Sequence, residues 1–66
     1  MYHNGETLTK DHHFRDHIDH SVPIQVYWQD THQDIGFIDE FSEKFVRIHR
    51  MIYMREHFTF ISRPGY

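Results

Sequence analysis

At Pro23 the spacing of apolar residues changes, and that change constrains the fold more than any other feature. Before it, Phe14 and Ile18 stand at i and i+4, the repeat of one helix face. After it, Ile24, Val26 and Trp28 alternate with Gln25, Tyr27 and Gln29, the repeat of a half-buried strand. Proline cannot continue a helix and biases its neighbour toward extended backbone, so the two regimes meet there. With 66 residues in all, one small domain spanning 1–66 is expected.

The helical segment reads as 9–20. Thr9 is a candidate N-cap, and Asp11 places the favoured charge in the first turn. Asp11, Arg15 and Asp19 form successive i, i+4 opposite-charge pairs on a second face. A stripe as narrow as Phe14 and Ile18 cannot hold a helix alone, so it must lie across other elements. Residues 1–8 read as a loose polar lead.

Downstream of Ile24–Trp28, the run 35–41 reads as a second strand. Gly36 within it marks a bulge, a bend or a close backbone approach. Ser42 to Lys44 supply a turn, 45–49 a third strand, and Arg50 and Met51 a very short connection. Segments 52–55 and 58–61 make two more strands before Arg63, Pro64 and Gly65 end the pattern. The expected fold is mainly β: a short N-terminal helix, then a five-stranded antiparallel barrel of Sm-like or SH3-like type over 23–62. An aromatic content of 17% supplies its core, and the absence of cysteine excludes disulfides, thiolate nucleophiles and Cys-based zinc sites. No apolar run reaches membrane-spanning length, and the first residues lack the apolar region of a signal peptide, so a cytoplasmic protein is expected.

Charge is unevenly placed. Residues 1–43 carry two bases against nine acids, whereas 44–66 carry five bases, four of them arginine, against Glu56. The C-terminal third therefore suits phosphate or carboxylate through the arginine fork, or balances the acidic part across a contact. Phe45, Arg47 and His49 share one strand phase and form a mixed basic and aromatic face. Tyr27, Phe45 and Tyr53 fall on the phase opposite Val26, Ile48 and Ile52, toward a ligand or a subunit surface.

His13, His17 and His20 stand at i, i+4 and i+7, within roughly 60° of one line on the helix. Three imidazoles so placed suit zinc, nickel or copper with an open position, and a solvated polar face predicts the same residues. No other cofactor is indicated. Ser21, Ser42 and Ser62 lack an oxyanion loop, and Asp39 and Glu40 point to opposite faces of a strand, so no catalytic set is read and the chain is expected not to be an enzyme.

Taken in order, the segments resemble the Hfq family of bacterial Sm-like RNA chaperones. Gly5, Leu8 and Phe14 match its N-terminal segment, and the run from Val22 to Tyr27 its helix-to-strand junction. Gly36 to Phe41 with Phe45 and Val46 is similar to the first Sm pattern, and 53–61 takes the place of the second. The resemblance implies a ring of subunits, with 52–55 pairing against 58–61 of a neighbour and Ile52, Tyr53, Met54, Phe58 and Phe60 at the contact. It also implies single-stranded RNA at Tyr27, Phe45, Arg47, His49 and Arg55. The Lys-His pair of the family's uridine pocket is replaced by Met54 and Arg55. Two functions follow: a non-catalytic, homo-oligomeric interaction or assembly module that engages protein partners, and, as the alternative, a divergent RNA binder.

Overall fold

The computed structural model describes residues 2–66. Its elements run β1 (Thr7–Leu8), α1 (Asp11–Asp19), β2 (Ile24–Trp28), β3 (Thr31–Gly36), β4 (Glu40–Phe41), β5 (Phe45–Ile48), β6 (Met51–Met54) and β7 (Thr59–Ser62). The strands form two antiparallel sheets, ordered β1-β7-β2-β3 and β4-β5-β6. The expected mainly β fold with one N-terminal helix is present. The expected closed five-stranded barrel is not: among the described residues seven strands lie in two separate sheets.

The differences have local causes. The expected second strand is broken between Gly36 and Glu40, where the chain leaves one sheet for the other, and its first half begins earlier, at Thr31. The polar lead expected to be loose contributes β1. Thr7 and Leu8 pair with Ile61 and Phe60, and Leu8 is buried. Gly5 donates its N–H to Ser62 O (2.8 Å) at φ +93°, a backbone region that a side chain would strain.

The helix cap falls one residue later than the sequence pattern suggests, and the helix proper runs Asp11–Asp19. Lys10, not Thr9, is the N-cap residue, and the ring of His13 takes over the capping. His13 Nδ1 accepts the backbone N–H groups of Thr9 (3.0 Å) and Lys10 (3.1 Å), the reaching-back half of a capping box. At the other end Ser21 adopts φ 52°, Ser21 N–H bonds Ile18 O and Val22 N–H bonds His17 O, so the last carbonyls are satisfied before Pro23.

The core lies between the sheets and under α1: Leu8, Phe14, Ile24, Val26, Ile38, Val46, Ile48, Tyr53 and Phe60. Phe14 meets Phe60 edge-on at 5.5 Å and Phe41 at 5.8 Å, which is how a narrow helical stripe suffices to hold the helix down. A fully buried Phe contributes roughly 2–3 kcal/mol of transfer free energy.

Candidate interaction surface

The face of β6 is set by a turn of two residues. His49 and Arg50, with φ of 51° and 69°, close the β5–β6 hairpin, and Ile48 pairs with Met51. Both central residues are left-handed, as a type I′ turn requires, although neither is the Asn or Gly such turns favour. The sequence pattern places this connection one residue later, at Arg50 and Met51. Across a two-residue turn at either place, the inward even positions of β5, Val46 and Ile48, face odd positions of β6, so the alternation changes phase through the hairpin. Tyr53 is therefore inside, opposite Val46, while Ile52 stands outside, opposite Arg47, reversing the phase expected for both.

The strained turn is held from β3. Asp34 Oδ1 accepts the backbone N–H of Ile35 (2.8 Å) and the His49 Nδ1–H (3.1 Å), and Oδ2 accepts the Tyr53 hydroxyl (2.9 Å). Burial and the Asp34 carboxylate push the Tyr53 phenol up to about 12. A Cβ on Gly36 would lie 2.7 Å from the His49 ring, so Gly36 serves here as a close approach.

On the outer face of the three-stranded sheet, Phe45 lies opposite Met54 and Arg47 opposite both Ile52 and Glu40. Arg47 and Glu40 form an ion pair, which leaves the row with no local net charge. Met51, Ile52 and Met54 are 56%, 49% and 36% exposed, a cluster of large apolar side chains along one edge.

That edge differs from the others. The strand order leaves four lateral edges, at β1, β3, β4 and β6. β1 and β4 are two residues long, and β3 is interrupted by a register shift at Val26/Tyr27 and carries Thr31, His32, Gln33 and Asp34. Short length, bulges and polar side chains are the usual protections of a sheet edge. β6 has four residues, none charged, and none of these protections.

Backbone polarity completes the surface. Arg55 N–H bonds Lys44 O (2.8 Å), and antiparallel pairs alternate in bonding, so 44/55, 46/53 and 48/51 are the bonded pairs. The backbone groups of Ile52 and Met54 consequently point away from β5. Met54 C=O accepts the N–H groups of His57 (3.0 Å) and Phe58 (3.2 Å). Ile52 N–H, Ile52 C=O and Met54 N–H meet no partner among the described residues.

Of the residues expected at a subunit contact, Ile52 and Met54 are on this surface. Tyr53 and Phe60 are core, and Phe58 packs edge-on against Tyr53 at 5.1 Å. The implied pairing of 52–55 with a neighbour's 58–61 meets a covered edge, because β7 already has β1 on one side and β2 on the other.

The residues expected to hold RNA are not gathered in one place. Tyr27 lies in the four-stranded sheet against His32, Phe45 and Arg47 lie in the other sheet, and His49 is bonded to Asp34. Arg55 is drawn inward. Its Nη1 donates to Asp11 Oδ1 and Ser42 O at 2.6 Å each, its Nη2 to Thr9 O at 3.2 Å, and its Cζ sits 4.6 Å from the centre of the Phe14 ring. This guanidinium ties the start of α1 to the β4–β5 turn. Sequence spacing across 44 residues gave no signal of that contact.

The three histidines expected as metal ligands do not converge. His17 is 1% exposed, its Nδ1–H donating to His13 O (2.6 Å) and its Nε2 accepting from Ser62 Oγ (2.7 Å). His13 Nδ1 is the helix cap, and His20 Nδ1–H donates to Asp16 O (2.9 Å). Among the described residues no group of three potential ligands is arranged for a metal. Burial holds the His17 imidazole below its ordinary value of 6.5, partly offset by the bond to the His13 carbonyl. A serine hydroxyl on a histidine nitrogen has the form of a nucleophile and base, but Ser62 is 0% exposed and no substrate reaches it. Tyr2 closes this region, its ring 4.4 Å from that of His17 and its hydroxyl donating to Asp16 Oδ2 (2.8 Å).

These features define a small two-sheet, mainly β fold with one unprotected strand edge. Compared with known proteins, the chain matches no family model, no curated protein and no solved structure. No helix among the described residues is long and apolar enough to cross a membrane.

Proposed function

We propose that this chain is a non-catalytic assembly module that acts by associating with protein through the β6 edge and the adjoining outer sheet face. The observation that carries this reading is the coincidence of free backbone groups at Ile52 with the exposed side chains of Met51, Ile52 and Met54. Such an edge left open invites uncontrolled pairing, and a folded protein that keeps one gains from having it covered. The reading is tested by sedimentation velocity on the parent and on Ile52→Lys. The parent is expected to sediment faster than an 8.2 kDa monomer as concentration rises, and the variant as a monomer. A parent that stays monomeric into the millimolar range, with no partner that protects β6, overturns the proposal.

The RNA alternative draws less support, because Arg47 and Arg55 already have intramolecular partners. Fluorescence anisotropy with labelled oligo-U at low and physiological salt separates the two functions, since phosphate binding falls steeply with salt and apolar strand pairing does not.

A further inference from the structure

Resting on the assembly reading, we propose that the occupant of the β6 edge is a second copy of this chain, paired antiparallel about a two-fold axis at Ile52. The register follows from the backbone. A two-fold axis through a hydrogen-bonded pair needs a residue whose N–H and C=O both point outward and are both free, which in β6 is Ile52, while an axis through Tyr53 would pair Ile52 with Met54, whose carbonyl is already taken. Centring on Met54 instead would require its carbonyl, which already accepts two N–H groups, and would drive the turn at 55–57 into the second copy.

Side chains and charges agree with that axis. Ile52 meets Ile52 of the second copy, and Met54 falls opposite the turn residue Arg50. The two sheets merge into one of six strands, β4-β5-β6 continued by its symmetry mate, with Phe45, Ile52 and Met54 on one continuous face. Along the central row the two Arg47 side chains are three strand spacings apart, about 14 Å. That exceeds a screening length of about 8 Å at physiological salt, and each Arg47 keeps its own Glu40. No like charges are forced together at the seam. A four-residue seam is small beside the usual stable interface, so the dimer is expected to be concentration-dependent.

The test uses the chain's lack of cysteine. In this register the two Ile52 Cα atoms are about 5.5 Å apart, within disulfide range, whereas the two Met54 Cα atoms are about 13 Å apart and cannot be bridged. Ile52→Cys and Met54→Cys, both at half-exposed positions that tolerate cysteine, are oxidised with diamide and run without reductant, alongside sedimentation of the parent. Ile52→Cys is expected to convert to a cross-linked dimer and Met54→Cys to remain single chains. A parent that associates while Met54→Cys cross-links as well as Ile52→Cys, or neither does, overturns this register and leaves the assembly reading standing. A parent that never associates overturns the second copy as occupant, and the assembly reading falls with it when no protein partner protects β6 either. Ile52→Pro gives an independent check. It deletes the outward N–H and the exposed Ile52 side chain, both used at the seam and neither needed by the fold of one chain, so the variant is expected to fold and to lose association at least tenfold.

Discussion

Replacing Arg55 with glutamine should unfold this protein earlier rather than weaken any ligand. The guanidinium is 14% exposed and makes two hydrogen bonds of 2.6 Å, to Asp11 and to the Ser42 carbonyl, a third of 3.2 Å to the Thr9 carbonyl, and a stacking contact over Phe14. Hydrogen bonds from a charged donor contribute about 1.5–3 kcal/mol each, and a partly desolvated cation over an aromatic ring about 1 kcal/mol. The Asp11 contact counts for little, because that carboxylate is 67% exposed and such pairs contribute about 0.5 kcal/mol. Glutamine keeps a short polar group, and both freed carbonyls can reach water, so the net loss is expected at about 3 kcal/mol. For a domain of this size that corresponds to a fall in Tm of about 15 °C. Thermal unfolding followed by circular dichroism measures it, with Asp11→Asn as the companion variant expected to lose less than about 1 kcal/mol. If Arg55→Gln moved Tm by less than about 3 °C, the clamp between α1 and the β4–β5 turn would not be structural.

Three further outcomes follow from the same geometry. Ser62→Ala strands the buried His17 Nε2 without its donor and should cost about 1–3 kcal/mol in denaturant unfolding, while the exposed Ser21→Ala should cost far less. Because burial lowers the His17 pKa, the unfolded chain binds the extra proton first. His17 therefore contributes fully above its ordinary 6.5, and that contribution is lost as pH falls toward the lower folded value; His17→Gln should flatten the stability profile below neutrality. The Tyr2 and Tyr53 phenols, both raised to about 12, should ionise late in an ultraviolet titration of the folded protein, and the stability they contribute is lost as pH rises from 10 through 12. Tyr53→Phe should remove one late-titrating phenol and loosen the Asp34 hold on the His49–Arg50 turn.

The change of spacing at Pro23 made the helix and the strand alternation legible, because both are repeats of the local chain. Phe14, Val26, Val46 and Ile48 are buried as their spacing requires. What failed was decided by geometry that spacing does not encode. Ile52 and Tyr53 exchanged faces because the even phase of Val46 and Ile48 does not run on through a two-residue turn, and the turn's place at His49 and Arg50 rests on left-handed conformations that their side chains do not advertise. The histidine stripe suited either a ligand set or a solvated face, because helical spacing is blind to which side meets the core. His17 faces Ser62, which is 45 positions away. Arg55 and Asp34 escaped for the same reason, each being a hub for contacts between distant segments. Ile52 and Met54 are exposed, but why they are available, on an edge left free while β1 covers β7, needed the strand order.

The central claim is that Ile52 pairs across a two-fold axis, and its own amide is the most direct witness. Hydrogen exchange by NMR should show Ile52 N–H slowing as the protein is concentrated, while the exposed amide of Asp30 in the β2–β3 turn does not. An Ile52 amide that exchanges at the same rate at every concentration, while amides of β7 remain protected, would contradict the pairing in a protein that is otherwise folded.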